Sequence, residues 1–241
     1  MIAERRTGGE QLAFDLPHRT ARAREDFLVS SANERAVAMI DRWPDWLNPA
    51  LILMGPPGSG KTHLSEVWRG MSGAECCRAE DVEVAKLPSL LAKGALVVED
   101  LPGKSLDETA LFHLVNLARE NRGFLLLTSE LHPLTWPLSL KDLVSRLKAM
   151  PVAVLGEPDD ALLRGLLVKL FADRQIAVDE STIAYMLARM ERSAAFARLI
   201  VEAVDRRSLQ EGAGVTRGFV ARILQETADS NRPRGDDINP P

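Results

Sequence analysis

The sequence predicts an α/β protein of P-loop type: a parallel sheet flanked by helices, followed by a small all-helical lid domain. Three observations predict it. Short continuous apolar runs (Leu51–Met54, Ala95–Val98, Phe124–Thr128 and Pro151–Leu155) alternate with helical patterns, as buried parallel strands do. The first run leads straight into Gly55-Pro-Pro-Gly-Ser-Gly-Lys61-Thr62, which fits G-x-x-x-x-G-K-[ST] at every fixed position. After Gly156 the strand-like runs stop, and apolar residues recur at helical spacing to about residue 228.

In chain order, residues 1–26 are polar and charge-mixed around one apolar island, Gln11-Leu-Ala-Phe-Asp-Leu16, and are expected to form a flexible tail. The α/β domain is expected over 27–156. It opens with Phe27–Val29 and a helix from about Ser31 to Trp43, with Ser31 or Asn33 as candidate N-cap. A helix from Thr62 to about Trp68 follows the P-loop, and another spans about Asp107 to Glu120. The helical domain is expected over 157–228, with amphipathic segments at 159–174, 179–191 and 193–210. Thr216 would cap a last helix bearing Phe219, Val220, Ile223 and Leu224. Residues 229–241 are polar with Pro and Gly, and are expected to be a disordered tail.

Composition narrows the function classes. With 46% apolar residues in 241, the chain can bury a core, and with only 5% aromatics that core must be mostly aliphatic. A net charge of −4 and a pI near 5.7 give no bulk support to free-standing nucleic-acid binding. The only cysteines, Cys76 and Cys77, are sequence neighbours and are poorly placed for a disulfide. The scattered His18, His63, His113 and His132 show no zinc-ligand spacing. No apolar run approaches the length of a membrane span, so a soluble, cytoplasmic protein without a membrane partner is expected.

The P-loop residue types follow from phosphate chemistry. Gly55, Pro56, Pro57, Gly58, Ser59 and Gly60 keep the loop small, so that backbone N–H groups approach the oxygens of a polyphosphate. The following helix adds its positive dipole end. Lys61 supplies a cation for the β- and γ-phosphates, and the Thr62 hydroxyl is a ligand for Mg²⁺. Glu99-Asp100 ends the second apolar run, where a carboxylate can face Mg²⁺ or orient an attacking water. Glu99 stands where Asp is usual, and its extra methylene puts fast intrinsic hydrolysis in doubt. Thr128, Ser129 and Glu130 close the next run beside the phosphate edge, with Ser129 as the candidate contact. Arg146, in Leu143-Val-Ser-Arg-Leu147, precedes the last run. An arginine there can be presented to a neighbouring molecule's nucleotide, where it would stabilise transition-state charge.

This order of parts resembles the AAA+ ATPases over about residues 27–228. Phe27-Leu-Val-Ser-Ser-Ala-Asn33 is similar to the segment that opens the AAA+ domain of DnaA-type initiators and helps enclose the adenine, which implies nucleotide contacts at Leu28 and Val29. Gly-Lys-Thr-His-Leu64 resembles their P-loop continuation and brings in His63. Leu111-Phe-His-Leu-Val-Asn116, Leu-Thr-Ser-Glu130 and Ser145-Arg146 resemble further stretches of the same proteins. Little sequence follows the expected lid, so the helix-turn-helix domain of DnaA is not expected. The layout resembles the Hda-type family of DnaA-related proteins, the HdaA group among them. That family begins with a sliding-clamp-binding peptide of the Q-L-x-L-x-L kind, and Gln11, Leu12, Phe14 and Leu16 fit it with Phe14 in place of a leucine.

The resemblance implies an adenine-nucleotide-binding regulator of chromosome replication initiation, with ADP or ATP and Mg²⁺ as cofactors and ADP in the active form. The DNA-loaded sliding clamp would recruit it through residues 11–16, so that DNA is met only indirectly. It would dock on ATP-bound DnaA and stimulate hydrolysis there, with Arg146 as the arginine finger, preventing re-initiation. Activity of its own as an ATPase, and a homodimer, stay open. One departure stands out. The family places a nucleotide-sensing arginine early in the third lid helix, where this chain has Ser193-Ala-Ala-Phe-Ala197. Arg192 and Arg198 flank it, and either could substitute, or the contact is absent. Two other readings use the same P-loop. One is a stand-alone AAA+ ATPase that loads a helicase or assists transposition on DNA. The other is a small-molecule kinase, which the apolar lid fits poorly.

Overall fold

The structure, a computed structural model, describes residues 27–230. The expected clamp-binding residues Gln11, Leu12, Phe14 and Leu16 lie outside the described residues, as does the tail beyond Ser230. Five parallel strands form one sheet: β1 (Ala50–Met54), β2 (Glu75–Arg78), β3 (Ala95–Leu101), β4 (Phe124–Ser129) and β5 (Val152–Val154). Their order is β2-β3-β4-β1-β5. This order matters for function because β4 lies between the strand that feeds the P-loop and the strand that ends in Glu99-Asp100. Met54 pairs with Ser129, and Leu101 also pairs with Ser129, so the three strand ends share one edge.

Helices cover both faces, as the burial of every central strand requires. On one face α1 (Glu34–Asp41) and α2 (Lys61–Ser72) bury Ile40, Leu64 and Trp68 against Leu51, Leu53 and Val97. On the other, α3 (Leu87–Leu90), α4 (Glu108–Glu120) and α5 (Lys141–Lys148) bury Leu111, Leu114 and Leu143 against Ile52, Leu96 and Leu127. A separate core unites the four lid helices α6 (Asp160–Asp173), α7 (Glu180–Leu187), α8 (Ala194–Glu211) and α9 (Arg217–Ser230) around Phe171, Met186 and Ile200. Among the described residues no helix is long and apolar enough to cross a membrane, and no group of His, Cys, Asp and Glu could hold a metal ion by itself.

Caps set the lid helices. Asp159, Asp179 and Ser193 each accept a bond from a first-turn amide, and Thr216 does so at 3.3 Å from Phe219. The α1 entry works differently. Asn33 is buried, but its side chain makes no cap bond within the helix. It accepts from the Ser30 amide (2.9 Å) and donates to the Leu28 carbonyl (3.0 Å), pinning the segment that opens the domain. Ser31, the other candidate cap, donates instead to Asp159 at 3.1 Å. One strand was not anticipated: β2, Glu75-Cys-Cys-Arg78, is a short edge strand with charged ends and only partial burial, so it leaves no apolar run to find.

Candidate functional site

The Gly55–Thr62 loop joins β1 to α2 and is shaped by close approaches. A Cβ on Gly55 would lie 2.6 Å from Ser59 Oγ and 2.7 Å from the Leu155 carbonyl oxygen. Gly58 and Gly60 adopt φ of 73° and 102°, the left-handed region where a side chain is strained. Gly60 is the N-cap of α2, so the helix's unpaired first-turn amides open onto the loop. Pro56 is half-buried and Pro57 exposed, and the Thr62 side chain is exposed beside the loop.

Lys61 lies across the loop. Its ammonium donates to the carbonyls of Gly55 (2.7 Å) and Pro56 (3.0 Å). Burial draws its pKa below the ordinary lysine value, while the nearby carboxylates of Glu130 and Asp100 pull the other way. Ser59 is buried, and among the described residues its hydroxyl has no hydrogen-bond partner. Both features suit a loop that receives an anion. The ammonium has only neutral carbonyls as bonded partners, and the orphan hydroxyl is a donor awaiting an acceptor.

The strand ends sort the acidic and polar candidates. In β3 a register shift after Val98 accompanies φ of 63° at Asp100, whose amide donates to Thr128 Oγ1 at 3.1 Å. Asp100 is exposed, and its charge, with that of Glu130, acts on the Lys61 ammonium. Glu99 is half-buried on the side of α2 and β2. Burial raises its pKa, with Asp100 and Glu66 adding to the rise and Arg69 and Arg78 opposing it. Of the two β3 carboxylates, then, Asp100 rather than Glu99 acts on Lys61. Ser129 is fully buried. Its hydroxyl donates to the Leu131 carbonyl (2.8 Å) and accepts from the Leu131 amide (3.0 Å) and the Trp136 indole (3.2 Å). That hydroxyl is committed to holding the β4 exit, and Glu130 is the residue of the trio whose charge acts on Lys61.

A narrow cleft runs from the opening segment to the lid. It is lined by Phe27, Leu28 and Asn33 at one end, Ser59, Gly60 and His63 on the loop side, and Ala194 and Arg198 from α8. Phe27 stacks on the His63 ring, centroids 5.1 Å apart and planes 17° from parallel. Leu28 lines the cleft, whereas Val29 is exposed and outside its lining. The lid touches the loop directly: the Ala194 amide donates to the Gly58 carbonyl at 3.3 Å. Arg192 is exposed and paired with Asp160 at 2.8 Å. Arg198 is half-buried, and burial lowers its pKa.

Arg146 lies elsewhere. It lines a cleft of about 350 Å³ with Arg119, Met150 and residues from the starts of β1 and β4, Ala50 and Leu125. This is the end of the sheet opposite the P-loop, a β1 length away, about 15 Å.

No family model matches the sequence, and no curated protein matches it. Solved structures do resemble the fold. Domain III of the Thermotoga maritima replication initiation protein DnaA superposes with a TM-score of 0.69 at 18% identity, covering 85% of this chain and 96% of that one. AMPPCP-bound DnaA from Aquifex aeolicus gives 0.65 at 19%, over 85% and 69%. The Thermotoga maritima RuvB Holliday junction branch migration motor gives 0.63 at 14%, over 80% and 65%. The fold, a parallel sheet flanked by helices with a P-loop after its first strand, is like that of DnaA domain III and RuvB.

Proposed function

We propose that this chain binds an adenine nucleotide and acts as a regulator of replication initiation, supplying Arg146 to ATP held by a DnaA-type initiator. The loop supports the first half. Gly58 and Gly60 hold the backbone open, Ser59 offers an unused hydroxyl, and Lys61 offers its charge. The nucleotide would rest on Gly55–Lys61, with its base toward Phe27, Leu28 and His63. Mg²⁺ would be met by the Thr62 hydroxyl and the β3 carboxylates Glu99 and Asp100. A nucleotide held there would supply the phosphate charge that Lys61 and the loop amides are placed to meet. The likeness to AMPPCP-bound DnaA supports the choice of an adenine nucleotide.

The position of Arg146 carries the second half. An arginine side chain spans about half of the distance that separates it from its own P-loop. Its guanidinium does not reach its own P-loop, which supports giving it to another molecule's nucleotide, where a cation would stabilise charge on the transferring phosphoryl group by orders of magnitude in rate. The chemistry is then the partner's hydrolysis, and the fold of DnaA domain III supports a partner of the same type. Recruitment by a DNA-loaded sliding clamp through Gln11, Leu12, Phe14 and Leu16 completes the reading.

The deciding experiment measures ATP hydrolysis by DnaA with clamp-loaded DNA and this protein. The full chain should accelerate it. Arg146→Ala should abolish the acceleration while ADP binding stays intact, and Gln11→Ala with Leu12→Ala should lose clamp binding. Full stimulation by the Arg146 variant would overturn the proposal. Turnover by the chain alone that rises with DNA would favour a stand-alone ATPase instead.

A further inference from the structure

The lid holds acidic and basic residues in near balance, but the fold does not pair them evenly. Among the described residues, Arg164, Arg174, Arg192, Arg206, Arg207 and Arg222 are held by carboxylates. Arg198 lies half-buried in the narrow cleft. Arg189 and Arg217 remain. Both are exposed, and among the described residues neither guanidinium has an ion pair or a hydrogen bond. They converge on one ring. Their guanidinium carbons lie 4.1 and 4.8 Å from the centroid of Tyr185, the chain's only tyrosine.

Two helices build this convergence. Tyr185 belongs to α7 and is half-buried against the lid core. Arg189 follows the helix end, where its amide donates to the Met186 carbonyl at 3.0 Å and keeps it within a turn of the ring. Arg217 opens α9. Asp179 feels the charge of Arg217, but its carboxylate is taken up at the start of α7 by the Ser181 hydroxyl (3.0 Å) and the Thr182 amide (2.7 Å). Two like charges at one ring repel, and stacking on that ring offsets part of the cost. A guanidinium that stacks keeps its in-plane N–H donors free at its edge. The pair therefore offers two flat, charged donor edges to an anion.

The surroundings choose the anion. Ala184, Ala188 and Gly218, near these residues in sequence, are exposed and small, so a charged chain can approach closely. Among the described residues no large apolar side chain of α7 or α9 is exposed, which leaves nothing to insert into a lipid layer. Arginine edges on an open surface suit a backbone of repeated phosphates, which positions a protein without specifying sequence. We infer that Arg189 and Arg217, stacked on Tyr185, contact the phosphate backbone of duplex DNA, so that the lid meets DNA directly and without reading its sequence. This goes beyond the regulator reading, in which DNA is met only through the clamp, and it rests on neither the nucleotide nor Arg146. Bulk charge hides such a patch, because the lid's carboxylates are spent on its other arginines.

Fluorescence anisotropy of the full chain with a labelled DNA duplex of mixed sequence, read across about 50–200 mM salt, tests the assignment. Two neutralised phosphates give a slope of about −1.8 in log affinity against log salt, so wild-type affinity should fall about tenfold over that range. Arg189→Gln and Arg217→Gln should each weaken binding and take about 1 from the slope. The double variant should lose both contributions, and the single variants carry the comparison should it unfold. Arg189→Lys with Arg217→Lys should keep the slope, because charge sets it. Arg206→Gln, whose guanidinium is held by Glu202 at 2.7 Å, should leave affinity and slope near the wild type. No binding by the wild type at about 50 mM salt, or wild-type affinity and slope in the double variant, would overturn the inference. So would binding to anionic phospholipid vesicles in place of the duplex, which would make the pair a headgroup contact.

Discussion

Glu108 and Leu140 are joined by a 2.7 Å hydrogen bond from the Leu140 amide to a Glu108 carboxylate oxygen, which ties the first turn of α4 to the start of α5. The same carboxylate accepts from the Ser139 amide at 3.0 Å and from the Ser139 hydroxyl at 3.0 Å. α5 carries Arg146 in its last turn, so one carboxylate sets the register of the helix that presents the proposed finger.

Glu108→Gln should therefore lower stability by about 1 kcal/mol, as loss of a helix-terminal cap does. The pH dependence has a definite sign. The backbone amides of Ser139 and Leu140 hold the Glu108 pKa below its ordinary value. Its contribution is then complete above the unfolded carboxylate pKa, about 4.3, and is lost as pH falls through the lower folded value. Thermal melts should separate wild type from variant at pH 7 and converge as the pH drops below about 4. A gap that is constant across this range would mean that the carboxylate charge is not what holds α5.

Gly58→Ala tests the junction of lid and loop. The residue sits at φ 73°, and a Cβ there would lie 2.5 Å from Ser193 Oγ and 2.7 Å from Ser193 Cβ. The left-handed backbone alone costs roughly 1–2 kcal/mol for alanine, and the clash adds to it. Ser193→Gly in the same chain removes the clash and leaves the backbone strain. A double-mutant cycle by urea unfolding should show a coupling of at least about 0.5 kcal/mol. Zero coupling would separate the α8 N-terminus from the P-loop.

Ser129→Ala separates a structural role from a nucleotide contact. The variant leaves the Leu131 amide without its Ser129 partner and the Trp136 indole with only the Leu131 carbonyl, 3.2 Å away. Trp136 is buried, so the cost should be about 1–3 kcal/mol. Affinity for ADP should not change, because the hydroxyl is already committed. A large fall in affinity with stability intact would return Ser129 to the phosphate edge.

What could be read from the chain alone follows the strength of each local constraint. The P-loop was fully legible because small residues, a lysine and a threonine at fixed spacing have one common chemical cause. The central strands were legible because burial on both faces demands unbroken apolar runs such as Leu51–Met54. β2 was not, because an edge strand asks only for partial burial and Glu75-Cys-Cys-Arg78 provides no run. The roles of Asn33 and Ser129 were hidden for a different reason. Their types suited a cap and a phosphate contact, but their hydrogen bonds go to Leu28, Ser30, Leu131 and Trp136, and only tertiary placement decides that. Arg192 and Arg198 were indistinguishable in sequence. The Asp160 carboxylate, from α6, takes the first and leaves the second.

The edge strand itself yields the last prediction. Cys76 and Cys77 are both free thiols on β2. Burial pushes the Cys76 pKa up to about 11, with Glu99 the next contributor, and pushes Cys77 up to about 12, with Cys76 and Asp81 adding to it. The thiolate is the reactive form, and a pKa three units above pH 8 leaves roughly one thiol in a thousand ionised, against about a quarter for an unperturbed cysteine. Iodoacetamide at pH 8 should therefore alkylate the folded chain far more slowly than the urea-unfolded chain, with Cys77 the slower of the two sites by mass spectrometry. The raised pKa also means that folding favours the protonated thiols, so stability from this source is full below the unfolded cysteine pKa and declines as pH rises through the folded values. Since Cys76 pairs with Val97 and Cys77 with Val98 across the β2–β3 ladder, protection depends on that pairing. Labelling of Cys77 at the unfolded rate under native conditions would mean that β2 does not stay docked on the sheet.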